Sequence, residues 1–275
     1  MAERAIRFDD GATYEQTVGI WSRLVGVDFL AWIEPSPGLR WLDVGCGTGV
    51  FTELLVERCT PAEVHGIDPS EPQLAYARAR PVGRTALFQA GDAMALPYGA
   101  DRFDAAVMAL VIFFVPDPAR SIAEMARVVR PGGTVAAYAW DIAGGGSAVE
   151  PVMIELSAIG IAPPRPPNHA AARIEALQQL WAGAGLEATA TRQFTVQRTF
   201  ADFAAYWAFA SMANTVAAVL KTMSDSEIER LKLGVQSRLP TNASGRIVQT
   251  ARANAIKGRR PQSPFADSVP TSKPR

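Results

Sequence analysis

Three carboxylates stand where short apolar runs give way to small residues: Asp43 in LDVGCGTG, Asp68 in GIDPS and Asp92 in GDAM. An acid so placed can hold ligand hydroxyls or an ammonium group through short, charge-assisted hydrogen bonds. Beyond Asp43, glycines alternate at 45, 47 and 49. A backbone bare of side chains lets a ligand close on the main chain, and a helix starting there offers free N–H groups. The stretch reads as a ligand cradle, open to a dinucleotide or to an adenosyl ligand.

The residues around the glycines weigh against the dinucleotide. Its GxGxxG pattern is met at Gly45 and Gly47, but the sixth position is Val50. Asp43 lies two residues ahead of the first glycine, where a carboxylate would repel a pyrophosphate; it suits instead a ligand end bearing an ammonium group, reached through water. Asp68, at the end of a second apolar run, can accept from both hydroxyls of a ribose. That serves either ligand and speaks only against a 2′-phosphate.

Other reactive side chains are sparse. Cys46 and Cys59 are the only cysteines and form no CxxC or Cys/His cluster, so neither a metal site nor a disulfide framework is expected. Cys46 reads as a small residue that fits the turn, not as a nucleophile. His65 sits on a strand and reads as structural, and His169 follows a proline-rich connector and reads as exposed. Asp141, just past the fifth strand in AWDIAGGG, is the best candidate for a polar contact to a substrate and is named as the candidate catalytic residue; its other reading is a turn cap.

These residues need a scaffold. LRWLDVG, EVHGID, RTALFQAGD, RFDAAVMALVIFFV and TVAAYAW read as five strands. Between them, VFTELLVERC, SEPQLAYARAR and DPARSIAEMARVV have helical spacing. Ser70 and Gln73 stand at capping-box spacing, and Asp117 with Pro118 marks a helix start. Alternation at this pitch predicts an α/β, doubly wound Rossmann-like sheet of seven strands, mostly parallel, whose last strand is antiparallel. LEATATRQFTV and GRIVQTARANAIKGR supply the final pair, and two helical stretches over 200–238 interrupt them. The expected organisation is a helical cap over 1–35, a core over 36–199 and 243–260, a helical insertion or lid over 200–242, and a tail over 261–275.

LDVGCGTG, GIDPS and GDAMALPYGADRFDAAVMALVIFFVPDPARSIAEMARVVRPGG, in that order, resemble the class I S-adenosylmethionine-dependent methyltransferases. The likeness is to the group acting on small molecules, ubiquinone precursors among them. It covers roughly residues 36–140. The resemblance implies S-adenosyl-L-methionine as cofactor. Gly45, Cys46 and Gly47 would then line its amino-acid end with Asp43 behind, and Asp68 would hold the ribose. Pro69 and Ser70 would flank the adenine. Asp92 would accept from the adenine amino group, with the amides of Ala93 and Met94 facing the ring. Ala109 and Leu110 would lie beneath the methionine part, and Tyr14 or Trp21, on an N-terminal helix, would close the site. Related enzymes carry a histidine after the fourth strand; Phe113 and Phe114 stand here instead, which favours an apolar acceptor pocket over acid–base catalysis from that position.

Lys plus Arg equals Asp plus Glu, so nothing in the net charge draws nucleic acid or an anionic membrane. The charged N-terminus has no signal-peptide core, and the longest apolar run, 105–115, is too short to span a bilayer. The expectation is a cytoplasmic enzyme methylating a small, partly apolar acceptor, with no nucleic-acid partner and a homodimer as candidate assembly. The alternatives are a non-catalytic S-adenosylmethionine binder and an NAD-dependent oxidoreductase.

Overall fold

A computed structural model of the chain describes residues 19–162 and 165–262. Seven strands form one sheet in the order β3-β2-β1-β4-β5-β7-β6. β1 (Arg40–Val44), β2 (Glu63–Asp68), β3 (Leu87–Ala90), β4 (Phe103–Ala109) and β5 (Val129–Trp140) run parallel. β7 (Ile247–Arg259) is antiparallel to both of its neighbours, β5 and β6 (Glu187–Phe200). This is the doubly wound sheet with an antiparallel last strand that the pattern predicts. β1 and β4 are buried almost throughout, as parallel strands covered on both faces must be.

Helices α1 (Ile20–Ile33), α2 (Val50–Cys59), α3 (Glu71–Ala79), α4 (Pro118–Val128), α5 (Glu150–Ala158) and α6 (Ile174–Gly183) pack around the sheet. Asp117 caps α4, its Oδ1 accepting the Arg120 N–H at 3.0 Å, with Pro118 at the first helical position. The Ser70 side chain makes no such bond at α3. The reciprocal box lies instead at Ser224, whose N–H donates to Glu227 Oε2 at 2.7 Å. Between β6 and β7 the chain forms three helices where the spacing predicts two: α7 (Phe203–Met212), α8 (Asn214–Leu220) and α9 (Asp225–Arg238). Ala213 leaves the helical conformation (φ −61°, ψ 127°), and α7 and α8 meet at 92°. A second departure concerns PGG (131–133). By type it is a helix stop, but α4 has already ended at Val128, and PGG lies inside β5, which starts at Val129 and takes it in beside a register irregularity.

Chain order sends β1 to β3 one way from the centre and β4 onward the other way. The reversal between β1 and β4 leaves a crevice at their carboxyl ends, where α/β sheets bind ligands. On the opposite side of β5 and β7, Trp181 is fully buried and donates Nε1–H to the Val135 carbonyl at 3.1 Å. Gly258 makes room for it: a Cβ there would meet Trp181 Cδ1 at 2.8 Å.

Trp181→Ala is expected to cost about 3–5 kcal/mol in urea unfolding, and Gly258→Ala about 1–3 kcal/mol by overpacking. The double variant should be less destabilised than the sum, because the cavity left by the indole admits the new methyl. Strict additivity would contradict this packing account.

Candidate functional site

The turn between β1 and α2 is folded onto the end of β2. The N–H groups of Gly45 and Cys46 both donate to the Ile67 carbonyl, at 2.7 and 3.0 Å. The N–H of Gly47 donates to Asp68 Oδ2 at 3.0 Å, and the other oxygen of Asp68 accepts the Ser70 N–H at 2.8 Å. Gly45 (φ +75°) and Gly47 (φ +52°) take left-handed conformations that side chains oppose. A Cβ on Gly45 would strike Val111 Cγ2 at 2.5 Å, and one on Gly47 would strike Gln73 Oε1 at 2.7 Å. The glycines therefore serve close packing of the turn between β2, α3 and the segment after β4. The N–H groups of Gly45, Cys46 and Gly47, which could cradle a pyrophosphate, are already spent on β2.

Asp43 is fully buried at the end of β1. Its Oδ2 accepts from the Thr52 hydroxyl at 2.7 Å, while its Oδ1 has no hydrogen-bond partner among the described residues. Burial, with a lesser contribution from the nearby Asp68 charge, pushes its carboxyl up to about 7, against the Thr52 bond, which acts to lower it. Burial also raises Asp68, opposed by the Ser70 and Gly47 N–H bonds. The Thr48 hydroxyl is another buried polar atom without a partner among the described residues. Cys46 is buried and its thiol is held well above the usual range by desolvation and by Asp43 and Asp68, so the structure gives it no nucleophilic character.

Asp43, Gly45, Cys46, Gly47, Thr48 and Asp68 line one cavity of about 760 Å³. At one end lie Asp68, Pro69, Ser70, Asp92 and Ala93; in the middle lie Asp43, Gly45, Cys46, Gly47, Ala109 and Leu110. Leu110 is a non-glycine residue at φ +63°, a conformation that costs about 1–3 kcal/mol and tends to occur at functional sites. Its N–H is bonded to the Tyr138 carbonyl at 2.8 Å, which holds the bend after β4 in place. Past Leu110 the cavity opens into an apolar chamber walled by Trp21, Phe113, Phe114, Trp140, Met153 and Phe209. Trp21 and Phe209 pack at 6.0 Å between ring centroids, which joins α1 to α7.

The cavity thus gathers most of the sequence candidates, but not all. Met94 is absent from its lining, and its N–H turns back to Asp92 Oδ1 at 2.8 Å instead of facing a ring. Asp141 is also absent from the lining. One of its oxygens accepts the Gly144 N–H at 3.1 Å and the other pairs with Arg252 at 2.8 Å, so it caps the turn after β5 and ties it to β7. Tyr14 lies outside the described residues. His65 is structural, bonded to Glu63 at 2.6 Å and Tyr98 at 3.3 Å. Sequence reasoning passed over Thr48, Thr52, Glu150 and Arg165; only the helical offset of Thr52 from Asp43 carried a signal for any of them. Among the described residues no cluster of metal-ligating side chains occurs, and no single helix is long and apolar enough to cross a membrane.

An acid whose folded pKa is raised keeps its proton in the folded chain after the unfolded chain has lost it. Between about pH 4 and pH 7 the folded state then binds more protons, and stability falls as pH rises. Asp43→Asn should remove that decline. Urea unfolding across pH 4.5–8 is expected to show the wild type losing stability relative to the variant as pH rises; parallel curves would contradict the buried, proton-holding carboxyl.

Residues 42–137, from β1 to β5, match the family model described as a methyltransferase domain. An uncharacterized protein of Mycobacterium bovis is 38% identical over 111 residues, 40% of this chain and 40% of that protein. A demethylmenaquinone methyltransferase of Roseiflexus castenholzii is 40% identical over 102 residues, 37% of this chain and 42% of that protein. The likeness thus spans about two-fifths of the length of these relatives. Among solved structures, phosphoethanolamine N-methyltransferase 2 of Haemonchus contortus in complex with S-adenosyl-L-methionine matches 94% of this chain and 59% of that chain, with a TM-score of 0.56 and 18% identity. That likeness is one of fold.

Proposed function

We propose that this chain, whose residues 42–137 carry a methyltransferase domain, transfers a methyl group from S-adenosyl-L-methionine to a small, partly apolar acceptor. One observation carries the reading. A single cavity runs from the carboxylates at the strand ends, past the glycine turn, into an aromatic chamber. It offers a polar berth continuous with an apolar one, and about 760 Å³ accommodates two small molecules end to end.

The residues fit the cofactor by their own unmet needs. Asp43 Oδ1 and the Thr48 hydroxyl are buried without partners among the described residues, and both residues line the cavity. An ammonium-bearing ligand end would meet the first, directly or through water. Asp68 retains acceptor capacity on both oxygens beyond its two N–H bonds and would hold the ribose hydroxyls. Pro69, Ser70, Asp92 and Ala93 would surround the adenine; Ala109 and Leu110 would support the methionine part.

When bound, the cofactor supplies an electrophilic methyl on a sulfonium that carries its own leaving group. What remains for the protein is alignment and exclusion of water, and alignment of this kind is worth up to about 7–11 kcal/mol. Trp21, Phe113, Trp140 and Phe209 would orient the acceptor against the end of β4 and keep the chamber dry. The helices between β6 and β7 act as the lid over it, since the α7–α8 corner contributes Phe209, Ala213, Asn214 and Thr215 to the cavity wall. The named activity of the Roseiflexus relative, on a demethylmenaquinone, supports an acceptor with an apolar ring body.

Calorimetry with S-adenosylhomocysteine tests the reading. The wild type should take up one equivalent per chain, and Asp68→Asn should bind at least about tenfold more weakly while melting at a similar temperature. Absence of uptake, unchanged affinity in the variant, or tighter binding of NADH in the same cleft would overturn it.

A further inference from the structure

Arg198 breaks the pattern of the strand that carries it. Along β6 the side chains at 194, 196, 198 and 200 share one face. Phe194, Val196 and Phe200 are buried there, and Arg198 stands among them half-buried. Phe194 meets Phe29 of α1 and Phe200 meets Phe209 of α7, at 6.5 and 5.4 Å between ring centroids. The guanidinium carbon of Arg198 lies 4.9 Å from the Phe200 ring centroid, 5.5 Å from that of Phe209 and 5.9 Å from that of Trp21.

Rings attract a cation but give its N–H groups no strong acceptor. Nη1 of Arg198 is buried without a hydrogen-bond partner among the described residues, and so is Nε1 of the neighbouring Trp21. The fold does not leave its other cations so. Every other half-buried arginine among the described residues, from Arg23 on α1 to Arg260 after β7, meets a carboxylate within 3.5 Å. Burial lowers the basicity of Arg198, and no acid among the described residues opposes it. Trp21 and Phe209 also wall the acceptor chamber, and Arg198 stands behind those two rings. Two orphaned donors, one of them cationic, therefore lie at the edge of the space assigned to the acceptor.

Resting on the methyltransferase reading, we infer that Arg198 and the Trp21 N–H form an oxyanion subsite, and that the acceptor is an amphipathic molecule whose apolar body ends in a carboxylate. The 5.9 Å between the guanidinium carbon and the indole centroid is a span that one carboxylate bridges, with an oxygen on each donor. A neutral acceptor leaves both donors unmet and keeps their desolvation cost, and an amine meets a like charge. Arg198 then acts as a specificity determinant at the end of the acceptor remote from the sulfonium.

The test measures binding, with saturating S-adenosylhomocysteine present, of three probes sharing one ring body: 2-naphthoate, 2-naphthalenemethanol and 2-naphthylmethylammonium. The wild type should hold 2-naphthoate about tenfold or more tightly than the alcohol, with the ammonium weakest. Arg198→Gln should abolish that preference while leaving affinity for the alcohol and for S-adenosylhomocysteine unchanged. Arg198→Lys, which keeps the charge and loses the fork, should retain part of it. Acetate and sulfate should not displace 2-naphthoate at equal concentration; displacement by either would show a site for a free anion and overturn the assignment to the acceptor. Arg198→Gln should also melt at the wild-type temperature or above, since it removes an unmet buried donor. No preference for 2-naphthoate in the wild type, or a lowered melting temperature in Arg198→Gln with the preference intact, would make Arg198 a packing residue and overturn the inference while leaving the function standing. Failure of the wild type to bind S-adenosylhomocysteine at all would overturn both.

Discussion

The Gly47 N–H to Asp68 carboxylate bond, 3.0 Å long, ties the turn after β1 to the tip of β2, and the site is built around it. With the two N–H groups that reach Ile67, it folds the glycine turn flat against the neighbouring strand. The turn could not lie there with side chains at positions 45 and 47, because Val111 and Gln73 already occupy that space. Two carboxylates, Asp43 and Asp68, consequently stand close together in a poorly solvated place. Like charges so confined are costly, and they are tolerable where donors or a cation offset them. The protein supplies Thr52, Gly47 and Ser70; the deficit left at Asp43 Oδ1 is the clearest demand the structure makes on a ligand.

That arrangement also separates the two cofactor classes the glycines alone leave open. A pyrophosphate needs free N–H groups and no neighbouring anion. Here the turn N–H groups of Gly45, Cys46 and Gly47 are bonded to β2, and an anion-prone carboxyl sits behind them. A ligand with a cationic end and a ribose meets both conditions. The left-handed Leu110 and the aromatic walls past it then set where a second molecule must lie.

How much of this was legible in the sequence depends on the range of the interaction. β1, β2, α2 and the cap of α4 were readable because their signals are local: a continuous apolar run, alternating glycines, an Asp-Pro start. The α7–α8 break was not, since Ala213 is no helix breaker by type; Phe209 and Val216, on either side of the corner, are both buried. Asp141 shows the limit at the site itself. Its position after β5 was read correctly, but its partner Arg252 lies 111 residues later on an antiparallel strand, so its commitment to that pair could not be seen. Met94 is a smaller case: in a two-residue turn its N–H goes to Asp92, a contact that the GDAM motif does not announce. Glu150 and Arg165 both line the cavity from the long connection between β5 and β6, and neither sits in a motif.

The central claim is that the glycine turn and the acid at the tip of β2 form the berth of an adenosyl sulfonium. A crystal structure of the chain grown with S-adenosylhomocysteine tests it most directly. The account predicts ribose hydroxyls on Asp68, the amino group within reach of Asp43 by one water at most, and the sulfur facing the aromatic chamber beyond Leu110. Density for the nucleoside anywhere else, or a ribose that leaves Asp68 without contact, would contradict it.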